Sequence, residues 1–168
     1  QALSWMRNGA TVMLATVVDT WGSAPRKAGA QMVIRKDGVF LGSVSGGCIE
    51  GTVIQNALEH IGTGRMLTFG VSTEDAWAVG LSCGGEISVW IEELLLDVVE
   101  SLVMAIKDRH SVMLHLSLEA GTPMSLFHSC NPLVSPKTIR QTNGSAIRRY
   151  EPARRLFVVG AVHIAQAL

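Results

Sequence analysis

The chain has 168 residues, 48% of them hydrophobic and 17% charged, a balance that supports a buried core and excludes a disordered chain. Its 14 basic and 14 acidic side chains cancel, which removes the electrostatic footprint of a protein whose main task is gripping a nucleic acid backbone. Mean hydropathy is +0.30, yet no stretch reaches the ~18 uncharged apolar residues of a membrane helix, and the apolar run over residues 94–103 is broken by Asp97 and Glu100.

The chain opens Gln1-Ala2-Leu3-Ser4 with no basic stretch leading into an apolar one, so no secretory or transit signal is visible. Cys48, Cys83 and Cys130 are odd in number and widely spaced. That pattern suits free thiols in a reducing compartment, the cytoplasm, better than a disulfide framework or a zinc site.

Residues 11–18 (TVMLATVV) are apolar on both strand faces and β-branched, which predicts a buried central strand. They run into residues 19–29, expected to be a long polar loop. Residues 31–35 and 39–44 flank Lys36-Asp37-Gly38, a turn sequence that predicts an antiparallel hairpin. A helix is predicted over residues 48–62, where Ile49, Val53, Ile54, Ala57, Leu58 and Ile61 follow helical spacing, with Gly62 and Gly64 ending it.

Strands are predicted over residues 66–71 and 85–92, the second alternating Ile87, Val89 and Ile91 against Glu86, Ser88, Trp90 and Glu92. A helix over 95–106 and short strands over 112–118 and 124–127 follow. Residues 131–150 lack periodicity and are rich in Ser, Pro, Asn, Gly and Arg, the composition of a connector. The arginines 148, 149, 154 and 155 are expected to be a solvated link.

Residues 155–161 (RLFVVGA) resemble a short buried strand, and residues 163–168 could open a helix, as a Rossmann unit begins. The expected fold is therefore an α/β front domain, a mixed sheet with helices, over residues 1–130. A connector over 131–153 and the truncated start of a Rossmann-like domain over 154–168 complete it.

Chemistry concentrates at Ser45-Gly46-Gly47-Cys48-Ile49-Glu50, a glycine turn between a strand and a helix. Backbone N–H groups gather at a helix start and favour anions, and the same field stabilises a thiolate, so Cys48 is the leading reactive residue. A small buried cysteine in a tight turn is the equal alternative, and Glu50 in a first turn commonly only complements the helix dipole. Cys83, in Leu81-Ser82-Cys83-Gly84-Gly85, repeats the theme of a thiol beside paired glycines. Two such thiols facing one cavity would suit a sulfur-containing ligand or a soft metal.

The loop Thr20-Trp21-Gly22-Ser23-Ala24-Pro25-Arg26-Lys27 combines an aromatic, hydroxyls and two cations, a clamp for a phosphorylated heterocycle if it is more than a charged surface. Cys130 and His60, His110, His115 and His128 show no metal-ligand spacing. His163 follows Gly160, but GAVHIA departs from G-x-G-x-x-G by placing Val162 at the second glycine, which argues against standard NAD(P) binding.

Together ATVVDTWGSAPRKAG, DGVFLGSVSGGCIEG, GLSCGG and RLFVVGAVHIAQAL resemble the XdhC/CoxI accessory factors of molybdenum hydroxylases, in the family's order. The resemblance covers most of residues 14–92 and the end of the chain. It implies a chaperone that binds molybdenum cofactor (molybdopterin), supports its sulfuration by a cysteine desulfurase, and delivers it to a xanthine dehydrogenase-type apoenzyme.

It also points to Cys48 as the cofactor or sulfur contact and to Cys83 as the second, with Ser45, Gly46, Gly47 and Glu50 around them. Ser23 and Arg26 become phosphate contacts. Relatives in this family look two-domained, and an orphaned strand at residues 155–161 could pair with another copy as a homodimer. Two rival readings are a nicotinamide-dependent or thiol-based oxidoreductase and a non-catalytic docking module for the apo-hydroxylase. Catalysis by a thiol usually needs a positioned His, and none is visible beside these cysteines.

Overall fold

The first strand, β1 (Val12–Gly22), has all of residues 12–18 buried and so presents no face to solvent over that stretch. A strand of this kind must be covered on both sides, and the rest of the chain supplies the two covers. The computed structural model describes residues 1–22, 24–71, 85–128, 139–142, 144–153 and 155.

β1 is the middle strand of a five-stranded sheet with β2 (Gln31–Arg35), β3 (Phe40–Gly42), β4 (Arg65–Val71) and β5 (Gly85–Glu93), in the order β3-β2-β1-β5-β4. Every pairing in it is antiparallel. The expected hairpin is present: Met32 faces Gly42 and Ile34 faces Phe40. A helix, α2 (Glu50–Glu59), covers one side of this sheet. There Met13, Ala15 and Val17 pack with Met32, Ile34, Val89 and Ile91 beneath Val53 and Ala57 of α2.

The other side of β1 offers Val12, Leu14 and Val18, which pack with Trp90, with Val98 and Val99 of α3 (Leu96–Lys107), and with a second sheet. That sheet joins β6 (Val112–Ser117), β7 (Ser125–His128), β8 (Ile139–Thr142) and β9 (Ser145–Tyr150) in the order β7-β6-β9-β8, again antiparallel. It contributes Leu114, Leu116, Ile139 and Ala146 to the same core. The N-terminal helix α1 (Ala2–Arg7), not expected from the sequence, lies beside α3 with Arg7 Nη2 2.8 Å from Glu100 Oε1. Both partners are well exposed, and such a pair contributes under ~1 kcal/mol.

The chain is thus α/β as expected, with three local differences. Residues 19–22 are strand rather than loop: a bulge between Val17 and Asp19 shifts the register, and β1 then follows β5 from Asp19↔Ser88 to Gly22↔Gly85. The alternation in β5 does not mark a wet face, because α3 and the second sheet cover it, leaving Trp90 2% and Glu92 5% exposed. Within the stretch expected to be a connector, β8 and β9 are strands, and β9 pairs with β6 from Val112↔Tyr150 to Ser117↔Ser145. The arginines 148 and 149 sit on a central strand of that sheet rather than on a solvated link. Residues 156–168, expected to begin a Rossmann-like unit, lie outside the described residues. Among the described residues no helix is long and apolar enough to cross a membrane.

Buried Glu92 accepts a hydrogen bond from Trp90 Nε1 at 3.0 Å. Burial dominates over that bond and pushes its carboxyl from the ordinary 4.5 up to about 7. Gly64 packs flat against the Trp90 ring, where a Cβ would overlap the indole.

Two outcomes follow from this pair. Gly64→Ala should lower stability by about 1–3 kcal/mol in urea unfolding, the cost of overpacking a buried ring; an unmoved midpoint would show that the ring yields freely. The unfolded chain ionises Glu92 near 4.5 and the fold near 7, so its stabilising contribution is complete below pH 4.5 and is lost as pH rises to about 7. Glu92→Gln should abolish that decline and gain on the order of 3 kcal/mol over wild type above pH 7. Parallel pH-stability curves for the two proteins would contradict it.

Candidate functional site

The segment between β3 and α2 contains Ser43, Val44, Ser45, Gly46, Gly47 and Cys48. Gly46 and Gly47 have φ of +83° and +122°, a region that side chains with a Cβ rarely enter. The turn they make brings the loop back over the start of α2, within reach of Glu50.

Glu50 is the hub. Its Oε1 accepts from Ser43 Oγ at 2.7 Å and from the N–H groups of Val44, Ser45 and Gly46 at 3.1, 2.9 and 3.0 Å. Its Oε2 accepts from the Gly47 N–H at 2.9 Å and from the Ser45 hydroxyl. Ser45 Oγ in turn accepts the N–H groups of Cys48 and Ile49, each at 3.0 Å. The helix starts at Glu50 with Ile49 as its N-cap, so Cys48 sits just ahead of it. The anion at this helix start is the protein's own Glu50 carboxylate.

Glu50 is only 7% exposed, and burial by itself disfavours its charge. The hydroxyls of Ser45 and Ser43 and the Ser45 N–H outweigh that penalty and hold the carboxyl down at about 2. Val44 anchors the loop by burying completely in the α2 core. The amides of Gly46 and Gly47 are therefore satisfied within the protein, and Cys48 is left as a free, exposed thiol at the edge of an ordered loop.

The basic loop lies beside this thiol loop. A Cβ on Gly46 would stand 3.8 Å from Pro25 Cβ, so Pro25 and the glycine turn are in contact distance. That loop is fastened to β1 by Gly29 N–H to Val17 O at 2.7 Å and Val17 N–H to Ala30 O at 2.9 Å. Trp21, at the end of β1, is 75% exposed. The structure thus brings Pro25, the residue before Arg26, against the loop of Ser45, Gly46, Gly47, Cys48 and Glu50, whereas Ser23 and Cys83 lie outside the described residues.

Sequence reasoning missed two parts of this arrangement. Glu50 had the signal of a first-turn carboxylate, but its use as an acceptor for its own loop depends on the turn at Gly46 and Gly47. Arg148, from β9, shares a cleft with Arg26 and Lys27, a placement that no local pattern announces. Among the described residues no group of three or more His, Cys, Asp or Glu could hold a metal ion.

Comparison with known proteins locates the chain. Residues 5–70 match the model of the XdhC and CoxI family. Among curated relatives, the molybdenum cofactor insertion chaperone PaoD of Escherichia coli K12 is 38% identical over 94 residues, 55% of this chain and 30% of its own length. A protein of Bacillus subtilis 168 described as a probable xanthine dehydrogenase subunit is 31% identical over 172 residues, covering 89% of this chain and 52% of its own. The crystal structure of a xanthine dehydrogenase from Bacillus halodurans shares the fold, with a TM-score of 0.65 at 24% identity over 90% of this chain and 52% of that one. The chain therefore spans about half the length, or less, of these relatives.

The loop's dependence on an ionised Glu50 gives a direct test. In the unfolded chain the group ionises near 4.5 and in the fold at about 2, so its contribution is present above pH 4.5 and lost as pH falls toward 2. Glu50→Gln at pH 7 should cost on the order of 3 kcal/mol, with most of the difference from wild type gone near pH 2. A loss that stayed constant with pH would mean that shape, not charge, holds the loop.

Proposed function

We propose that this chain is the front part of an accessory protein that binds molybdenum cofactor as cargo, supports its sulfuration, and delivers it to a xanthine dehydrogenase-type molybdenum hydroxylase. The observation that carries the reading is the exposed Cys48 thiol on a loop ordered by Glu50, whose Gly46 lies against Pro25, the residue before Arg26.

A thiolate is a soft donor suited to molybdenum and sulfur chemistry, and Arg26 suits the anionic end of a pterin phosphate. Ser45, Gly46, Gly47 and Glu50 act through the loop by holding Cys48 in place. Cys83 is the second soft contact and Ser23 a further phosphate contact in the same reading. The exposed indole of Trp21 offers a flat face for a heterocycle.

The relatives' names support this assignment: one is a molybdenum cofactor insertion chaperone, another belongs by its name to a xanthine dehydrogenase. The partners in this reading are the apo-hydroxylase and a cysteine desulfurase that supplies sulfur, in a reducing cytoplasm where Cys48 stays a thiol.

Molybdenum and pterin analysis of the purified protein tests the reading. Wild type should hold both, Cys48→Ala should retain less than about a tenth of them, and Cys83→Ala should fall between. Undiminished cofactor in Cys48→Ala would remove Cys48 from the site. Tight NAD binding with turnover in protein free of molybdenum would favour an oxidoreductase instead.

A further inference from the structure

A separate cleft of about 250 Å3 opens where β5 runs into α3. One wall is the turn ahead of β4, where Gly62 and Gly64 present backbone and no side chain. Thr122 and Pro123, from the connection between β6 and β7, form another, and Glu92, Glu93 and Leu95 complete the lining used here.

Glu92 is 5% exposed, and its Oε1 is the oxygen that accepts from Trp90 Nε1. Its Oε2 accepts no hydrogen bond among the described residues, yet it is not sealed from solvent. The cleft that Glu92 lines is where that oxygen opens. A buried carboxyl with an idle oxygen costs stability that an apolar side chain at the same place would not. Packing alone therefore does not account for it.

We propose that this cleft binds an alkylammonium group, with Glu92 Oε2 as its ionic partner, Glu93 and the Thr122 hydroxyl as further acceptors, and Leu95 and Pro123 along its methylene stem. An ammonium has three donors and no acceptor, which suits a set of oxygens, and its stem suits apolar walls as a lysine stem does. The group belongs either to a free amine or to a lysine of a partner protein, and the chemistry recognised is the same. The cleft lies past the end of α2 and Cys48 ahead of its start, about 15 Å away along a helix of 10 residues. The inference therefore stands apart from the proposed function, and an ammonium held here leaves the thiol loop open.

Burial holds the Glu92 carboxyl at about 7, so an arriving cation draws it into the ionised form and releases a proton near neutral pH. The other charged and titratable groups around it among the described residues are Glu93 on β5, Asp97 in the first turn of α3, Glu119 on the β6–β7 connection, and His60 and Arg65, which flank the glycine turn. Asp97 accepts its neighbour Val98 N–H at 2.9 Å, and Arg65 Nη1 lies 2.8 Å from His60 Nε2.

Calorimetric titration of the purified protein with n-butylammonium chloride tests the proposal. Wild type should bind saturably, roughly tenfold more tightly at pH 8 than at pH 6, with a proton released at the lower pH. Glu92→Gln, expected above to be the more stable protein, should bind at least tenfold more weakly at pH 8 and lose the pH dependence. Glu59→Gln, on the exposed face of α2, should bind like wild type. No saturable binding, equal affinity in Glu92→Gln and wild type, or equal binding of uncharged n-butanol overturns the inference. Titration with Nα-acetyl-lysine methylamide identifies the source: affinity at or above that of n-butylammonium supports a partner's lysine, and binding of n-butylammonium alone supports a free amine.

Discussion

The burial of β1 on both faces is the constraint from which the architecture follows. A strand with one wet face can end a two-layer domain; β1 over residues 12–18 cannot, because either face left open would expose a row of large apolar side chains. The chain answers with α2 on one side and α3 plus a whole second sheet on the other. The second sheet in turn carries Arg148 and Tyr150 to the mouth of the loop that leaves β1. Covering a core thus creates the cleft, and the cationic surface owes its existence to the same packing that stabilises the fold.

The thiol loop, by contrast, is organised by a single carboxylate. Glu50 gathers the amides of the glycine turn and the hydroxyls of Ser43 and Ser45, groups that would otherwise compete for water or ligand. An N–H aimed at a protein anion is not free to hold a substrate anion. The helix start beside Cys48 is therefore an internal structural device.

Legibility in the sequence followed the range of the interactions. The β2–β3 hairpin, α2 and α3 were readable because turn residues and helical spacing are local. The central position of β1 was readable from apolar side chains at successive positions, which only two-sided burial explains. The burial of Trp90 and Glu92 was not, since a period of two says which residues share a face but not whether a second layer covers it. β9 escaped because Arg148, Arg149 and Tyr150 alternate with little apolar signal, and its place between β6 and β8 is decided by partners far away in the chain. Cys48 was readable as a thiol at a glycine turn, whereas the role of Glu50 as its organiser and the approach of Pro25 to Gly46 depend on tertiary contact.

The Thr16–Gln31–Tyr150 chain ties the second sheet to the central strand through side chains fixed before any partner arrives. Side chains already held in place lose little conformational entropy when a ligand arrives. Arg148 is braced by an aromatic ring that is itself hydrogen-bonded to the central sheet, so this wall of the cleft it shares with Arg26 is fixed by the fold itself. Under the proposed function, a wall set in advance lets cargo come and go without opening the core.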